Sequence, residues 1–341
     1  MSQRLLPCGK LPHDLLERLV RDYAHVSDPR LLVPPGIGED AAVIDFGDRC
    51  LVAKTDPITF ATDAVGWYAV HVNANDIAAM GAQPRFFLAT IIIPEQMATA
   101  ELIESIFASI HTAAGELGVT VCGGHTEITH GIDRPLVIGQ MLGEVARDEI
   151  VRSSGLLPGD VVLLTKGMAI EATAIIAREK KADLLSRGYD EEVLQRCADY
   201  LTNPGISVVA DARAALGAGD VHAMHDPTEG GVATGLFELA QASGVGLAVN
   251  GEALTLSTES QQLCQEYDLD PFGVISSGAL LIGCAANSAP AISSALEAVG
   301  VHSACVAQVM EPVHGLQLEK DGASQPLPRY PVDEITKLFR G

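Results

Sequence analysis

Four aspartates stand where a carboxylate could do chemistry, each at the end of an apolar stretch or among small residues. Asp40 lies in Gly38-Glu39-Asp40-Ala41-Ala42-Val43, and Asp56 in Lys54-Thr55-Asp56-Pro57. Asp76 lies in Asn75-Asp76-Ile77-Ala78-Ala79-Met80, and Asp226 in His225-Asp226-Pro227-Thr228-Glu229-Gly230-Gly231. Magnesium takes hard oxygen ligands, usually one or two carboxylates together with phosphate oxygens and water. Carboxylates from separate strand and helix ends could converge in that way. Any one of them alone is more often a helix cap or turn residue. Asp76 resists that explanation, because an apolar helical pattern surrounds it and an unpaired buried carboxylate is costly.

A second group, Gly123-Gly124-His125-Thr126-Glu127, follows the apolar run Val119–Cys122. Glycines after a strand let backbone N–H groups approach a phosphate, and Thr126 adds a hydroxyl. Strand–Gly–Gly turns are common, so this signal is weak by itself. Lys166-Gly167 and the helix start expected after Asp226-Pro227 are weaker phosphate candidates of the same kind. Neither GxxxxGK[ST] nor GxGxxG occurs, no HExxH is present, and no Ser/His/Asp triad can be assembled from spacing.

The elements that must position these residues are readable in outline. Paired strands are expected at Ala41–Ile44 and Cys50–Thr55, and a helix from Asp63 to Gly81. Phe86–Ile93 reads as a buried strand and Thr99–Leu117 as a helix, followed by strands at Val119–Cys122 and Pro135–Val145. The turn formers of Ser153–Gly159 mark a boundary, giving units 1–152 and 153–341. Beyond it, strands are expected at Val161–Thr165, His222–Met224, Leu247–Val249 and Ala279–Gly283. Helices are expected near Glu171–Glu179, Glu191–Tyr200, Ser207–Leu216, Val232–Ser243 and Pro290–Val299. Irregular alternation of this sort predicts two α+β units rather than one doubly wound sheet.

Composition narrows the function. The 341 residues carry 44 acidic and 22 basic side chains, a net charge of −22, which disfavours nucleic acid and anionic membrane surfaces. No apolar run approaches the roughly 18–20 residues of a membrane span, and no signal-peptide stretch opens the chain, so a cytoplasmic protein is expected. Seven cysteines, with no CxxC and no zinc-ligand spacing, read as reduced thiols, Cys8 beside Lys10 being the one to watch.

Taken together and in order, these motifs resemble the aminoimidazole ribonucleotide (AIR) synthase superfamily, from Gly9-Lys10 to about Ser277-Gly278. The resemblance implies an N-terminal domain pairing with a second copy into a dimeric β-barrel, with ATP bound nearby, and a C-terminal α+β domain. It implies that Asp40, Asp56 and Asp76 hold Mg²⁺ against ATP, with Asp226 joining them. Asn75, Gly123, Gly124, His125, Thr126 and Glu127 would line the nucleotide pocket, and Lys10 would neutralise the transferring phosphate, Lys10 and Asp76 being the catalytic pair. Members use ATP to phosphorylate an oxygen or selenium nucleophile, often an amide-type oxygen, on a small-molecule or protein-borne acceptor. His225–Val232 and Pro271–Leu280 look most like the hydrogenase-maturation HypE type. That type works on a C-terminal cysteine, whereas here the last cysteine is Cys305, so chemistry on its own tail is not expected. The alternatives are a non-catalytic nucleotide-binding scaffold of a maturation complex and a selenophosphate synthetase-like activity using Cys8.

Overall fold

The computed structural model describes residues 6, 9–24, 26–36 and 38–339; Cys8 lies outside them. The first half builds a six-stranded sheet from β1 (Leu31–Val33), β2 (Ala42–Asp45), β3 (Cys50–Ile58), β4 (Gln83–Pro94), β5 (Thr120–Thr129) and β6 (Leu136–Val145). Their order is β1-β2-β3-β6-β4-β5, antiparallel except for the β4–β5 pair. Three helices accompany it: α1 (His13–Tyr23), α2 (Val65–Ala79) and α3 (Ala100–Leu117). Thr99 caps α3 by accepting from the Leu102 N–H, and Gly118 ends it in the left-handed conformation.

Helix α2 explains the face on which the sheet does its work. Every residue of it except Trp67 is buried, the pattern of a helix enclosed on all sides rather than lying on a surface. It packs against β3, β4 and β6 on one side and α3 on another, and touches the second half of the chain. Strand β3 alternates, so Cys50, Val52, Lys54 and Asp56 share the face turned toward α2. That face is apolar at Cys50 and Val52 and becomes charged at Lys54 and Asp56, opposite Asp76 of α2. The opposite face carries Leu88, Ile92, Leu136, Ile138 and Leu142, all only half-buried.

The second half forms a seven-stranded sheet from β7 (Val161–Thr165), β8 (Val221–His225), β9 (Gly246–Asn250), β10 (Leu281–Cys284), β11 (Ser303–Met310), β12 (Leu316–Lys320) and β13 (Ala323–Pro326). The order is β13-β12-β9-β11-β7-β10-β8, with only β9–β12 parallel. Its helices are α4 (Ile170–Glu179), α5 (Lys181–Ser186), α6 (Glu191–Ala198), α7 (Val209–Leu216), α8 (Gly231–Ser243), α9 (Thr258–Glu266) and α10 (Ala289–Ala298). Leu163, Met224 and Ile282 pack with α7 and α10, while Val162, Leu164 and Leu281 join the main core that includes α4 and α8. Alternate strand residues thus feed the two sides, as the two-residue period requires. The α+β class expected from the sequence holds. Strands β11 to β13 and helices α5 and α9 have no counterpart in the elements expected from the sequence. Among the described residues no helix is long and apolar enough to cross a membrane.

One expectation fails here for a clear reason. Gly123-Gly124 is not a turn after a short strand; β5 runs unbroken through it to Thr129. A Cβ on Gly124 would lie 2.1 Å from the Ala89 carbonyl oxygen, so the close approach of β4 by itself requires glycine there.

Candidate functional site

The charged end of β3, helix α2, the β8–α8 turn and the N-terminal arm surround a cavity of about 680 Å³. Lys10, Asp40, Asp56, Asp76 and Asp226 all line it, as do Lys54, Arg134, His225, Thr228, Glu229 and Glu238. Asp40 is brought in by Gly38, whose φ of +80° and close approach to the Glu238 backbone leave no room for a side chain. Asp226 follows β8, and Glu238 projects from α8.

Asp76 is 4% exposed, and its Oδ1 accepts from Lys54 Nζ at 2.8 Å while Oδ2 has no partner. Lys54 Nζ also stands 3.7 Å from Asp56. Burial alone would lower the Lys54 pKa, but Asp76 and Asp56 outweigh it and hold the ammonium above its ordinary range. Burial pushes the Asp76 carboxyl up, with Lys54 opposing. Asp226 is 2% exposed and neither of its oxygens has a hydrogen-bond partner. Its carboxyl is driven well above the carboxylate range by burial and by Asp76 and Asp40 nearby.

A second chain of contacts holds the other wall. His225 donates from Nδ1 to Asp40 Oδ1 at 2.6 Å and pairs through Nε2 with Glu238 Oε2 at 3.0 Å. Burial opposes protonation of this ring, yet the two carboxylates raise its pKa well above the ordinary value, which makes it an imidazolium donating from both nitrogens. His13 Nε2 reaches Glu238 Oε1 at 3.2 Å, and Lys10 Nζ donates to Thr228 Oγ1 at 3.1 Å. Burial would raise the Glu238 carboxyl, but Lys10, His13 and His225 hold it well below the usual range.

One ligand atom each from Asp40, His225 and Asp226 lie within 4.8 Å of one another. Both nitrogens of His225 are spent on carboxylates, so the donor set offered to a cation is oxygen: Asp226, the free Oδ2 of Asp76, Asp40, and Asp56 at the side. Four unpartnered buried carboxylate oxygens belong to residues lining this cavity, Glu39 Oε2, Asp76 Oδ2 and both oxygens of Asp226, a set that fits a hard divalent cation.

Not every expected residue is brought here. Gly123, Gly124, His125, Thr126 and Glu127 lie exposed on β5 at the edge of the first sheet, and none lines the cavity. His125 and Glu127 pair with each other at 3.5 Å on that surface. Asn75 is fully buried; its amide donates to the Ile206 carbonyl at 2.7 Å and accepts from the Val208 N–H at 2.8 Å. It fastens α2 to the second half through these two bonds. Lys166 is equally committed, to Asp211 at 2.9 Å and the Ser207 carbonyl at 2.6 Å. Lys54, Arg134, Glu238 and the double pairing of His225 were missed by the sequence reading. Lys54 had a signal, since a residue two before Asp56 on a strand must share its face.

Two mixed α+β halves, joined by a buried helix and enclosing an acidic cavity, define the class of protein to compare. Residues 38–145 match the N-terminal domain of the AIR synthase related proteins and residues 158–318 the C-terminal domain, so the chain belongs to the AIR synthase related family. It is 28% identical to a putative hydrogenase expression/formation protein of Methanocaldococcus jannaschii over 80% of this chain and 79% of that one. It is 29% identical to the carbamoyl dehydratase HypE of Rhizobium leguminosarum, over 80% and 77% of the two chains. Among solved structures, Escherichia coli HypE superposes with a TM-score of 0.74 at 21% identity, covering 95% of this chain and 99% of that one. A HypE complex with ATP gives 0.68 at 23%, covering 94% and 96%. The Aquifex aeolicus thiamine monophosphate kinase gives 0.66 at 18%, covering 92% and 98%. At these identities the structural likeness is one of fold.

Proposed function

We propose that this chain is an ATP- and Mg²⁺-dependent enzyme that activates an oxygen-type acceptor by phosphoryl transfer. The observation that carries the reading is Asp226: a buried carboxylate with both oxygens unpartnered, grouped with Asp40 and lining the same cavity as Asp76. Such a group is costly unless a ligand completes it. The relatives named carbamoyl dehydratase, and the ATP complex of a protein of the same fold, support the same chemistry.

In this reading Asp40, Asp76 and Asp226, with Asp56 beside them, hold the metal, which when bound neutralises phosphate charge. His225 donates to Asp40 and fixes its orientation. Lys54 restrains Asp76 and Asp56 so that they present carboxylate to the cavity. Lys10, on the exposed N-terminal arm, is placed to meet the transferring phosphate. Phosphoryl transfer asks the protein mainly for positioning and charge neutralisation, and these residues supply both. Residues 1–152 and 153–341 are the two working units.

We also assign a homodimer. The half-buried apolar face of the first sheet, and exposed Phe86, Val121 and Ile128, form an uncovered surface running to the open edge of β5. The test of the main reading is calorimetric titration of ATP with and without Mg²⁺. Metal-dependent binding that Asp226→Asn weakens at least tenfold, or about 1.4 kcal/mol, is the expected result. Binding indifferent to metal and to that substitution overturns it.

A further inference from the structure

No hydrogen bond to its own side chain fixes Asp226, the carboxylate on which the metal reading turns. Its place depends on the backbone of the β8–α8 turn. That turn ends in Gly230 and Gly231, both in the left-handed region at φ of +82° and +66°. Glycine has the widest conformational freedom of any residue, so two in succession leave the turn mobile unless something outside holds it. Helix α8 starts at Gly231, and its N-cap residue Gly230 has no side chain with which to cap it.

The restraint comes from the far end of the chain. Asp333 is 3% exposed, and its Oδ2 accepts from the Gly230 N–H at 2.6 Å. Its Oδ1 accepts from the Ile335 N–H at 2.7 Å and from the Ile275 N–H at 3.3 Å. Beside it the Glu334 N–H donates to the Gly273 carbonyl, and the Ala233 N–H of α8 donates to the Phe272 carbonyl. A Cβ on Gly231 would stand 2.5 Å from that Phe272 oxygen, so the segments meet without slack. One carboxylate thus ties together the β8–α8 turn, the loop 270–275 and the segment 333–337. Burial pushes the Asp333 carboxyl up to about 7, against the three N–H groups, which favour its ionised form. Nothing in the metal and phosphate reading above uses this residue, and it does not line the cavity.

We propose that Asp333 is a positioning residue for the candidate site. It holds the β8–α8 turn in the one shape that keeps Asp226 beside Asp40 and Thr228 against Lys10. It acts through the Gly230 backbone and touches neither metal nor nucleotide. The proposal rests on the ATP- and Mg²⁺-dependent reading and adds a residue that governs it from outside the cavity. Groups that orient a metal ligand without touching the metal commonly change metal affinity or activity by about 10–100-fold when removed.

The test is calorimetric titration of ATP with and without Mg²⁺ at about pH 8, where the Asp333 carboxyl is ionised. Asp333→Asn keeps the shape, but its one amide oxygen can serve either Gly230 or the other two N–H groups, not both sides. The expected result is a gain in affinity from Mg²⁺ at least about tenfold smaller than in the unmodified chain, with metal-free ATP affinity kept. Tyr330→Phe removes another bond of the same C-terminal segment, to Asp270, and is expected to leave the Mg²⁺ gain unchanged. An unaltered gain in Asp333→Asn overturns the proposal, as does an equal loss in Tyr330→Phe or a matching fall in metal-free affinity. Should Asp333→Asn fail to fold, the unmodified chain still decides. Glu229-Gly230 is the only Glu-Gly step in the sequence, so labelling glutamate carbonyl carbon and glycine nitrogen isolates that one amide by NMR. A downfield proton shift and slow exchange are expected, and a freely exchanging Gly230 amide overturns the proposal. An unmodified chain that gains nothing from Mg²⁺ sinks the reading beneath. A normal gain that is indifferent to Asp333→Asn sinks this inference alone.

Discussion

Replacing Asp226 by asparagine separates stability from ligand binding in this cavity. Without ligand the carboxyl is buried, has no hydrogen-bond partner and faces Asp76 and Asp40, so its ionised form opposes folding. Asparagine keeps the shape and removes the charge. Its amide is left without a partner too, so what the change removes is the penalty on a buried charge, about 1–3 kcal/mol. Each kcal/mol moves Tm by about 2–4 °C in a domain of 150–250 residues, so the ligand-free variant should melt roughly 2–12 °C above the unmodified chain. Magnesium and ATP should reverse that order. At one hundred times Kd a ligand stabilises its protein by about 2.7 kcal/mol, and the variant should lose most of that gain. Scanning calorimetry of both chains, with and without Mg-ATP, should therefore show melting temperatures that cross. The pH dependence has a sign as well. The folded-state pKa of Asp226 is raised, so the folded chain binds a proton that the unfolded chain has released. Ligand-free stability should fall as pH rises from about 3.9 toward the raised value, and the variant should lack this contribution. A ligand-free variant that melts below the unmodified chain refutes the claim that the carboxylate is unsatisfied. One that keeps the whole Mg-ATP shift removes Asp226 from the site.

Asp76→Asn should abolish ATP turnover. It should also destabilise by about 1–2 kcal/mol in urea titration, the loss of a buried ion-pair partner discounted because Lys54 is 22% exposed; unchanged turnover would exclude Asp76 from the chemistry. His225→Leu leaves Asp40 and Glu238 buried without their shared cation and should cost about 3–5 kcal/mol in the same titration, a loss under 1 kcal/mol arguing against a charged ring. Asn75→Ala breaks two buried hydrogen bonds to Ile206 and Val208 and should lower stability by about 1–3 kcal/mol with ATP affinity retained; an affinity loss without a stability loss would return Asn75 to the nucleotide site. Val121→Lys on β5 should convert the proposed dimer to monomer in light scattering, and an unchanged mass would move the interface elsewhere.

Much of this architecture was legible because apolar runs and their punctuation are local. Val161–Thr165 is a strand with the bounds the sequence suggests, and Gly118 ends α3 where expected. Asp76 stood out because a mid-helix carboxylate in an apolar stretch has no local explanation. What escaped depended on partners distant in sequence. The Gly123-Gly124 pair carries a turn signal, yet parallel pairing with β4 extends the strand through it. Ser303–Met310 is too mixed to announce a strand, but it lies between β7 and β9 and pairs with both. Glu238 looks like an ordinary helix-surface glutamate until Gly38 and His225 are folded against it. Asn75 and Asp76 are neighbours in the chain, and only the packing of α2 reveals that they face different partners.

That adjacency limits how the cavity can admit a ligand. Turning or sliding α2 enough to widen the space around Asp76 would pull the Asn75 amide off Ile206 and Val208, so the seam between the halves behaves as a fixed post. Helix α1 has no buried residue and is tied to the cavity wall by side-chain contacts such as His13–Glu238. Traffic into the site should therefore pass along α1 rather than through the seam, while the two halves keep their angle.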